Sequence, residues 1–189
     1  ENKEGRMKNI KFIHYDSPFA DRDFLEVVKK ADSSKESLYI FDEVHNFINN
    51  VYNNITSKTG KRAYVIYDYI LQEKRDNDDT RIILMTGTPA INNPFEIALI
   101  FNLLRPGIFP NSEVKFNEIY ISSNKLNLSV KNMFQRRIMG LVSYYSGADK
   151  QLFADKNYNF VKVDMDPYQQ EVYEHFEFIE DKLEKKKKS

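Results

Sequence analysis

Apolar and polar positions fall into blocks along this chain, and the blocks carry two different periods. Residues 10–15 (Ile-Lys-Phe-Ile-His-Tyr) read as a strand. Phe24, Leu25, Val27 and Val28 then recur at helical spacing behind Asp21, a suitable N-cap. A polar turn over 31–36 precedes Leu38–Phe41, a short continuous apolar run of the kind buried on both faces of a parallel sheet. Residues 44–51 turn into a helix, 53–61 are polar and loop-like, and 62–74 read as a helix with Val65, Ile66, Tyr69 and Ile70 on one side. The polar turn 76–79 leads into a strand over 81–85. Pro94 suits the first position of a helix through 104, with Phe95, Ala98, Leu99, Phe101 and Asn102 spread around it. Arg105-Pro106-Gly107 stops that helix. Strands and helices alternating at these lengths predict an α/β fold with a parallel sheet.

From about residue 111 the alternation gives way to two expected helices, 114–121 and 128–140. A strand is expected over 160–165, where Phe160, Val161 and Val163 are apolar, and Pro167 opens a last helix that runs into the lysines at 185–188. The change of character divides the chain into an α/β part, residues 1–110, and a helical extension with a returning strand and a linker helix, residues 111–189. No internal repeat is present.

Composition narrows the class. A chain of 189 residues can bury one solid core and carry an appended subdomain, and 41% hydrophobic with 14% aromatic residues is a folding composition. Net charge is zero, so no bulk field advertises a polyanionic partner; that argues against a simple DNA-coating protein and leaves room for a local basic groove. With no Cys there is neither a disulfide framework nor a cysteine zinc site. No apolar stretch approaches the roughly 18–20 residues that span a bilayer, and residues 1–8 do not resemble a signal peptide, so an intracellular protein with no membrane partner is expected. Asn54-Ile55-Thr56 and Asn127-Leu128-Ser129 match glycosylation sequons and are read as chance.

Candidate chemistry sits at the ends of the two central strands. Ligands of open α/β sheets bind outside the carboxyl ends of the strands. Tyr39-Ile40-Phe41-Asp42-Glu43-Val44-His45 places two acids at such an end, where they call for a cation or for donors. Phosphoryl transfer to water meets that need: one carboxylate holds Mg²⁺ through its waters and a neighbour positions or deprotonates the attacking water. Asp42 fits the first role and Glu43 the second. The same acids also suit caps of the following helix, where the dipole favours negative charge. Ile82-Ile83-Leu84-Met85-Thr86-Gly87-Thr88-Pro89 again ends a strand, and its small hydroxyl residues suit both a phosphate site and an ordinary strand-to-helix turn in which Gly supplies backbone freedom and Thr the cap. Lys58, Lys61 and Arg62 suit phosphate contacts or a solvated surface; Arg136 and Arg137 suit a helix end; the closing lysines suit nucleic acid or a frayed end.

Asp42-Glu43-Val44-His45, together with Thr86-Gly87-Thr88-Pro89-Ala90-Ile91-Asn92-Asn93-Pro94 and the run through Leu104-Arg105-Pro106-Gly107-Ile108-Phe109, resembles motifs II and III of superfamily 2 helicases of the Swi/Snf-like branch. Phe134-Gln135-Arg136-Arg137 and the stretch from Val163 to Tyr173 are similar to the segment that joins the first motor lobe of that family to its second. Within the branch, the residues 42–47, 140–145 and the composition look most like helicases of large DNA viruses, of the giant amoebal type, with poxvirus nucleoside triphosphatase I and early transcription factor more distant. The resemblance covers about residues 10–173. It implies a partial RecA-like ATPase lobe using ATP and Mg²⁺ and moving on nucleic acid, double-stranded DNA first and RNA second, in viral transcription or DNA remodelling. RNA polymerase is an implied partner, and a viral factory, virion, nucleus or cytoplasm the implied setting. By resemblance Asp42 coordinates Mg²⁺, Glu43 activates water, His45 couples the nucleotide site to the motor, and Thr86, Gly87 and Thr88 relay nucleotide state. The segment from His14 to Ser17 falls where the family contacts the DNA backbone, which adds His14 and Ser17 to Lys61 and Arg62 as candidate nucleic-acid contacts.

Residues 57–62 superficially resemble a phosphate loop but lack its first Gly at the required spacing and follow no strand. The family's glycine-rich loop and second lobe are therefore expected outside this stretch, as for a piece from the middle of a larger enzyme, with hydrolysis requiring the whole. The competing reading is a non-hydrolysing helicase-like lobe that docks on nucleic acid or RNA polymerase.

Overall fold

The computed structural model describes residues 10–31, 36–57, 60–90, 92–123, 125–145, 147, 154 and 157–187. The turn residues 32–35, Lys58 and the side chains of the closing lysines lie outside the described residues. Two compact units result, residues 1–144 and 145–189.

The first unit runs α1 (Ala20–Lys30), β1 (Leu38–Phe41), α2 (Val44–Thr56), α3 (Arg62–Asp76), β2 (Arg81–Leu84), α4 (Phe95–Leu104), α5 (Glu113–Tyr120), a hairpin of β3 (Ile121–Ser122) and β4 (Lys125–Leu126), and α6 (Lys131–Ile138). β1 and β2 pair in parallel with Leu38 opposite Arg81 and Phe41 opposite Leu84. Backbone bonds from Arg81 to Ser37 (2.9 Å) and from Met85 to Phe41 (2.9 Å) carry the ladder past both ends. A parallel pair needs a long crossover, here supplied by α2 and α3. This is a mixed α/β fold with a small parallel sheet, a partial RecA-like lobe.

The helices pack on one face of the sheet. Tyr39, Phe41, Ile82 and Leu84 meet a core that includes Phe24, Val44, Phe47, Ile48, Val51, Ile66, Ile70, Leu99 and Leu103. The opposite face is open: Leu38 is 56% exposed, Ile40 57% and Ile83 47%. The expectation of a strand buried on both faces is therefore wrong for this chain, because no described element covers the second face. α4 is apolar almost all round and is buried on most sides, with Phe95, Ala98, Leu99, Ile100 and Leu103 in the core. Its buried Asn102 escapes the cost of an unpaired amide by mimicking a strand edge. Its Oδ1 accepts from the Phe109 N–H (2.9 Å) and its Nδ2 donates to the Phe109 carbonyl (3.2 Å). Gly107, at φ +78°, makes the turn that returns Phe109 to that amide.

Several local expectations are corrected. Residues 10–15 form no strand: Ile13 and Tyr15 pack on the core, Ile10 and Phe12 are exposed, and no described strand supplies a ladder. α1 begins at Ala20, so Asp21 lies in its first turn with Asp23 and acts through the dipole rather than as the cap. α2 continues to Thr56 through the stretch read as a loop, and the Asn54 side chain there accepts from the Tyr64 N–H at the start of α3 (3.3 Å). The buried stripe of α3 is Ala63, Ile66, Tyr67, Ile70 and Leu71, rotated from the expected one, with the Tyr67 hydroxyl donating to the Leu99 carbonyl (3.0 Å). The helix expected over 128–140 divides into a 3₁₀ turn, Leu128–Val130, and α6. Asn127 caps the turn by accepting from Ser129 N (3.1 Å). β3 and β4 were not foreseen, since two-residue strands leave no readable period.

In the second unit α7 spans Pro167–Lys187. The Asp166 carboxylate caps it, accepting from the N–H groups of Tyr168 (2.9 Å) and Gln169 (3.0 Å). The strand expected over 160–165 is absent: the segment is irregular and Phe160 is 94% exposed, because its apolar alternation meets no described partner strand.

Candidate nucleotide and coupling site

Because β1 and β2 are parallel neighbours in register, their carboxyl ends deliver the two sequence motifs to one place. Phe41 lies opposite Leu84, so Asp42 and Glu43 emerge beside Met85 and Thr86. The Val44 N–H donates to the Met85 carbonyl (3.0 Å), which ties the first turn of α2 to the end of β2. Asp42 and Glu43 are exposed, Val44 is fully buried beneath them, and His45 is half-buried. Glu43 is the residue before α2 and adopts φ 49° and ψ 49°, a left-handed backbone uncommon for a residue with a side chain. It makes no side-chain cap bond to the helix it precedes, which weakens the reading of this acid as a simple cap.

His45 bridges the motifs. Its Nδ1 lies 2.7 Å from Thr86 Oγ1 and 3.2 Å from Glu43 Oε2. A carboxylate only accepts, so the proton belongs on Nδ1, where it serves both oxygens. Thr86 Oγ1 also accepts from the Thr88 N–H (3.0 Å), which folds the Thr86-Gly87-Thr88 turn back on itself. Gly87 differs from the expectation: its φ is not left-handed, and a Cβ there would meet nothing within 4 Å, so this turn does not require a glycine for backbone freedom.

The other candidates separate. His14 is exposed, and Ser17 has a local task, its Oγ accepting from the Phe19 N–H (3.2 Å) just before α1. Lys61 and Arg62 are exposed at the start of α3. α2, with 13 residues, carries the chain about 20 Å from Glu43 before they appear, so they are not brought to the acids. Arg137 donates to the Ile108 carbonyl, and Arg105 Nη1 to the Arg137 carbonyl (3.4 Å), so Arg137 holds α6 to the turn after α4.

Sequence reasoning missed two polar clusters. In the first, Asn93 Nδ2 donates to Tyr52 Oη (2.7 Å) and Glu113 Oε1 (2.7 Å), while Asn93 Oδ1 accepts from the Phe95 N–H (2.8 Å) at the start of α4. Burial, and then the Glu113 charge, raise the Tyr52 hydroxyl above its ordinary pKa. Asn92 Nδ2 donates to Asn49 Oδ1 (2.9 Å), a second tie from α2 to the residues that follow the Thr86 turn. The Asn-Asn-Pro sequence was the available signal, since Asx side chains there cap the helix that follows. In the second cluster, Tyr15 Oη lies 3.3 Å from both the Asp42 and the Glu43 carbonyl.

Among the described residues no three His, Asp or Glu side chains converge as a ready-made metal cage. Nor is any described helix long and apolar enough to cross a membrane.

Comparison with known proteins identifies the family. Residues 67–189 match the model of the SNF2-related domain. An Acanthamoeba polyphaga mimivirus protein, named as a candidate ATP-dependent RNA helicase, is 54% identical over 187 residues, covering 97% of this chain and 23% of its own. Nucleoside triphosphatase I of Melanoplus sanguinipes entomopoxvirus is 29% identical over 194 residues, 95% of this chain and 28% of its own. A termination factor NPH-I homologue of African swine fever virus is 29% identical over 152 residues, 78% of this chain and 21% of its own. The chain thus spans about a quarter of the length of these relatives. With two strand-end motifs side by side and these matches in hand, the chain belongs to the SNF2-related domain family, among the helicase-like proteins of large DNA viruses.

Proposed function

We propose that this chain forms the part of a nucleic-acid-stimulated ATPase that carries the magnesium and water-activating acids, and that the full-length protein moves on nucleic acid during viral transcription or DNA remodelling. The observation that carries the reading is the 2.7 Å contact between His45 and Thr86, which joins the acid motif to the second motif at adjacent strand ends. Asp42 supplies an exposed carboxylate at the open end of the sheet. One such oxygen donor fits Mg²⁺, which keeps several waters and takes one or two carboxylates together with substrate phosphates. When bound, Mg²⁺ neutralises charge on the phosphate oxygens of ATP.

Glu43 accepts a proton as water attacks the γ-phosphorus; the bond from that phosphorus to the β-γ bridging oxygen breaks, and ADP leaves with the electron pair. His45 senses the Glu43 carboxylate on one side and Thr86 on the other, so loss of the γ-phosphate is felt in the Thr86-Gly87-Thr88 turn. Double-stranded DNA is the expected track. The names of two relatives, an RNA helicase and a termination factor, support testing RNA and RNA polymerase beside it.

The test is ATP hydrolysis by the full-length protein, alone and with double-stranded DNA or RNA, beside Glu43→Gln. Stimulated turnover that falls by about 10²–10⁴-fold in the variant, with ATP binding kept, is the expected result. Normal turnover in Glu43→Gln refutes the role of Glu43. Absence of turnover with every nucleic acid favours the non-hydrolysing lobe that docks on nucleic acid or RNA polymerase.

A further inference from the structure

Glu43 holds its side chain on a left-handed turn, and a residue with a Cβ keeps that backbone only where its surroundings over-determine it. Two of the restraints come from the strands and helix themselves: Val44 N–H to Met85 O (3.0 Å) and Asn46 N–H to Glu43 O (3.0 Å). The third comes from outside them. The Tyr15 hydroxyl, 27 and 28 residues earlier in the chain, donates to the carbonyls of Asp42 and Glu43 at 3.3 Å each. Tyr15 is in turn held by one stretch of α2. The Phe47 ring meets its ring edge-on at 5.8 Å, and Asn50 Nδ2 donates to Asp16 Oδ1 (2.8 Å) next door. Burial raises the pKa of this hydroxyl, as do the nearby Asp16, Asp42 and Glu43 charges, so it stays protonated and able to donate at neutral pH.

The geometry points to Tyr15 as a positioning residue for Glu43: by gripping the Asp42 and Glu43 carbonyls, it sets the direction in which the Glu43 carboxylate leaves the turn. This rests on the proposed water-activating role of Glu43. Tyr15 reaches no reacting atom itself and acts through the backbone of the acid. It also joins the segment before α1, residues 14–17, to the hydrolytic end of the sheet, so a shift of that segment is a shift of Glu43.

The experiment is a double-mutant cycle in the full-length protein, with wild type, Tyr15→Phe, Glu43→Gln and the double variant. It measures kcat and KM for ATP, single-turnover rates and melting temperature. Tyr15→Phe keeps the ring against Phe47 and removes only the hydroxyl, so kcat falls about threefold to tenfold while KM stays within about twofold. In the Glu43→Gln background the same change leaves the residual single-turnover rate within about twofold, because there is no general base left to aim. A structural role would instead slow both backgrounds alike and lower the melting temperature.

Unchanged kcat in Tyr15→Phe, a rise in KM alone, or an equal fall in both backgrounds overturns the inference while leaving Glu43 in place, provided Glu43→Gln is inactive. Glu43→Gln at the wild-type rate, or an inert wild type, refutes the reading of Glu43 and the inference with it. If Tyr15→Phe lowers the melting temperature, Asp16→Ala removes the acceptor of the Asn50 bond and loosens the same tether one residue away. It is then expected to lower kcat at constant KM, and an unchanged kcat there also overturns the inference.

Discussion

Replacing Thr86 by Val removes one oxygen and almost no volume, which makes it a clean probe of the link between the two motifs. Thr86 Oγ1 pairs with His45 Nδ1 at 2.7 Å and accepts from Thr88 N at 3.0 Å. A net hydrogen bond is worth about 0.5–1.5 kcal/mol, so two of them bound the loss at about 1–3 kcal/mol. The lower part of that range applies. Thr88 is exposed and its N–H finds water, while His45 Nδ1 still has the Glu43 carboxylate 3.2 Å away. The expected loss is about 1–2 kcal/mol. The chain has no Trp, so urea unfolding is followed by far-ultraviolet circular dichroism or tyrosine fluorescence, with the slope against urea unchanged between variants. Thr86→Ser keeps the oxygen and is expected within about 0.5 kcal/mol of wild type. A loss in Thr86→Val below about 0.3 kcal/mol, or equal losses in the Val and Ser variants, refutes the argument that this oxygen joins the motifs.

Phe109 tests the second half of the first unit. It is 2% exposed and its ring lies within 5.3–6.1 Å of Phe101, Phe116, Tyr120 and Phe134. Phe109→Ala is expected to cost about 3–5 kcal/mol by calorimetry or urea unfolding and to speed amide exchange in α6; a cost under about 1.5 kcal/mol contradicts the packing. Gly87→Ala separates folding from function. An added Cβ meets nothing within 4 Å, so stability is expected to hold within about 0.5 kcal/mol. On the proposed role of the Thr86-Gly87-Thr88 turn in relaying nucleotide state, the ATPase rate of the full-length protein is nonetheless expected to fall, because the added methyl sits on the exposed side of that turn. Unchanged turnover removes Gly87 from the coupling turn.

The local elements were largely legible because their cause is local. Apolar spacing alone placed β1, β2, α3 and α4 within a few residues, and the acids after Phe41 and the hydroxyls after Met85 marked the strand ends. The failures share a cause as well. Residues 10–15 and 160–165 have strand-like spacing, yet a strand exists only with a ladder partner, which spacing does not supply. The same limit applies to the sheet face: the apolar runs made Leu38 and Ile40 candidates for burial, but burial depends on a covering layer.

What the sequence determined by itself is therefore the kind of chain: alternating α/β elements, two chemically marked strand ends, and the family they resemble. Tertiary structure decided which of those residues meet. His45 and Thr86 are 41 residues apart in the chain, and only the parallel register of Phe41 with Leu84 brings them to 2.7 Å. Tyr15 met the acid turn, and Asn93 met Tyr52 and Glu113, through packing of α2 against its neighbours. Lys61 and Arg62 were carried away by the length of the same helix. Periodicity is a property of neighbours along the chain, whereas a hydrogen bond between distant side chains depends on how whole elements pack, and only the folded core sets that.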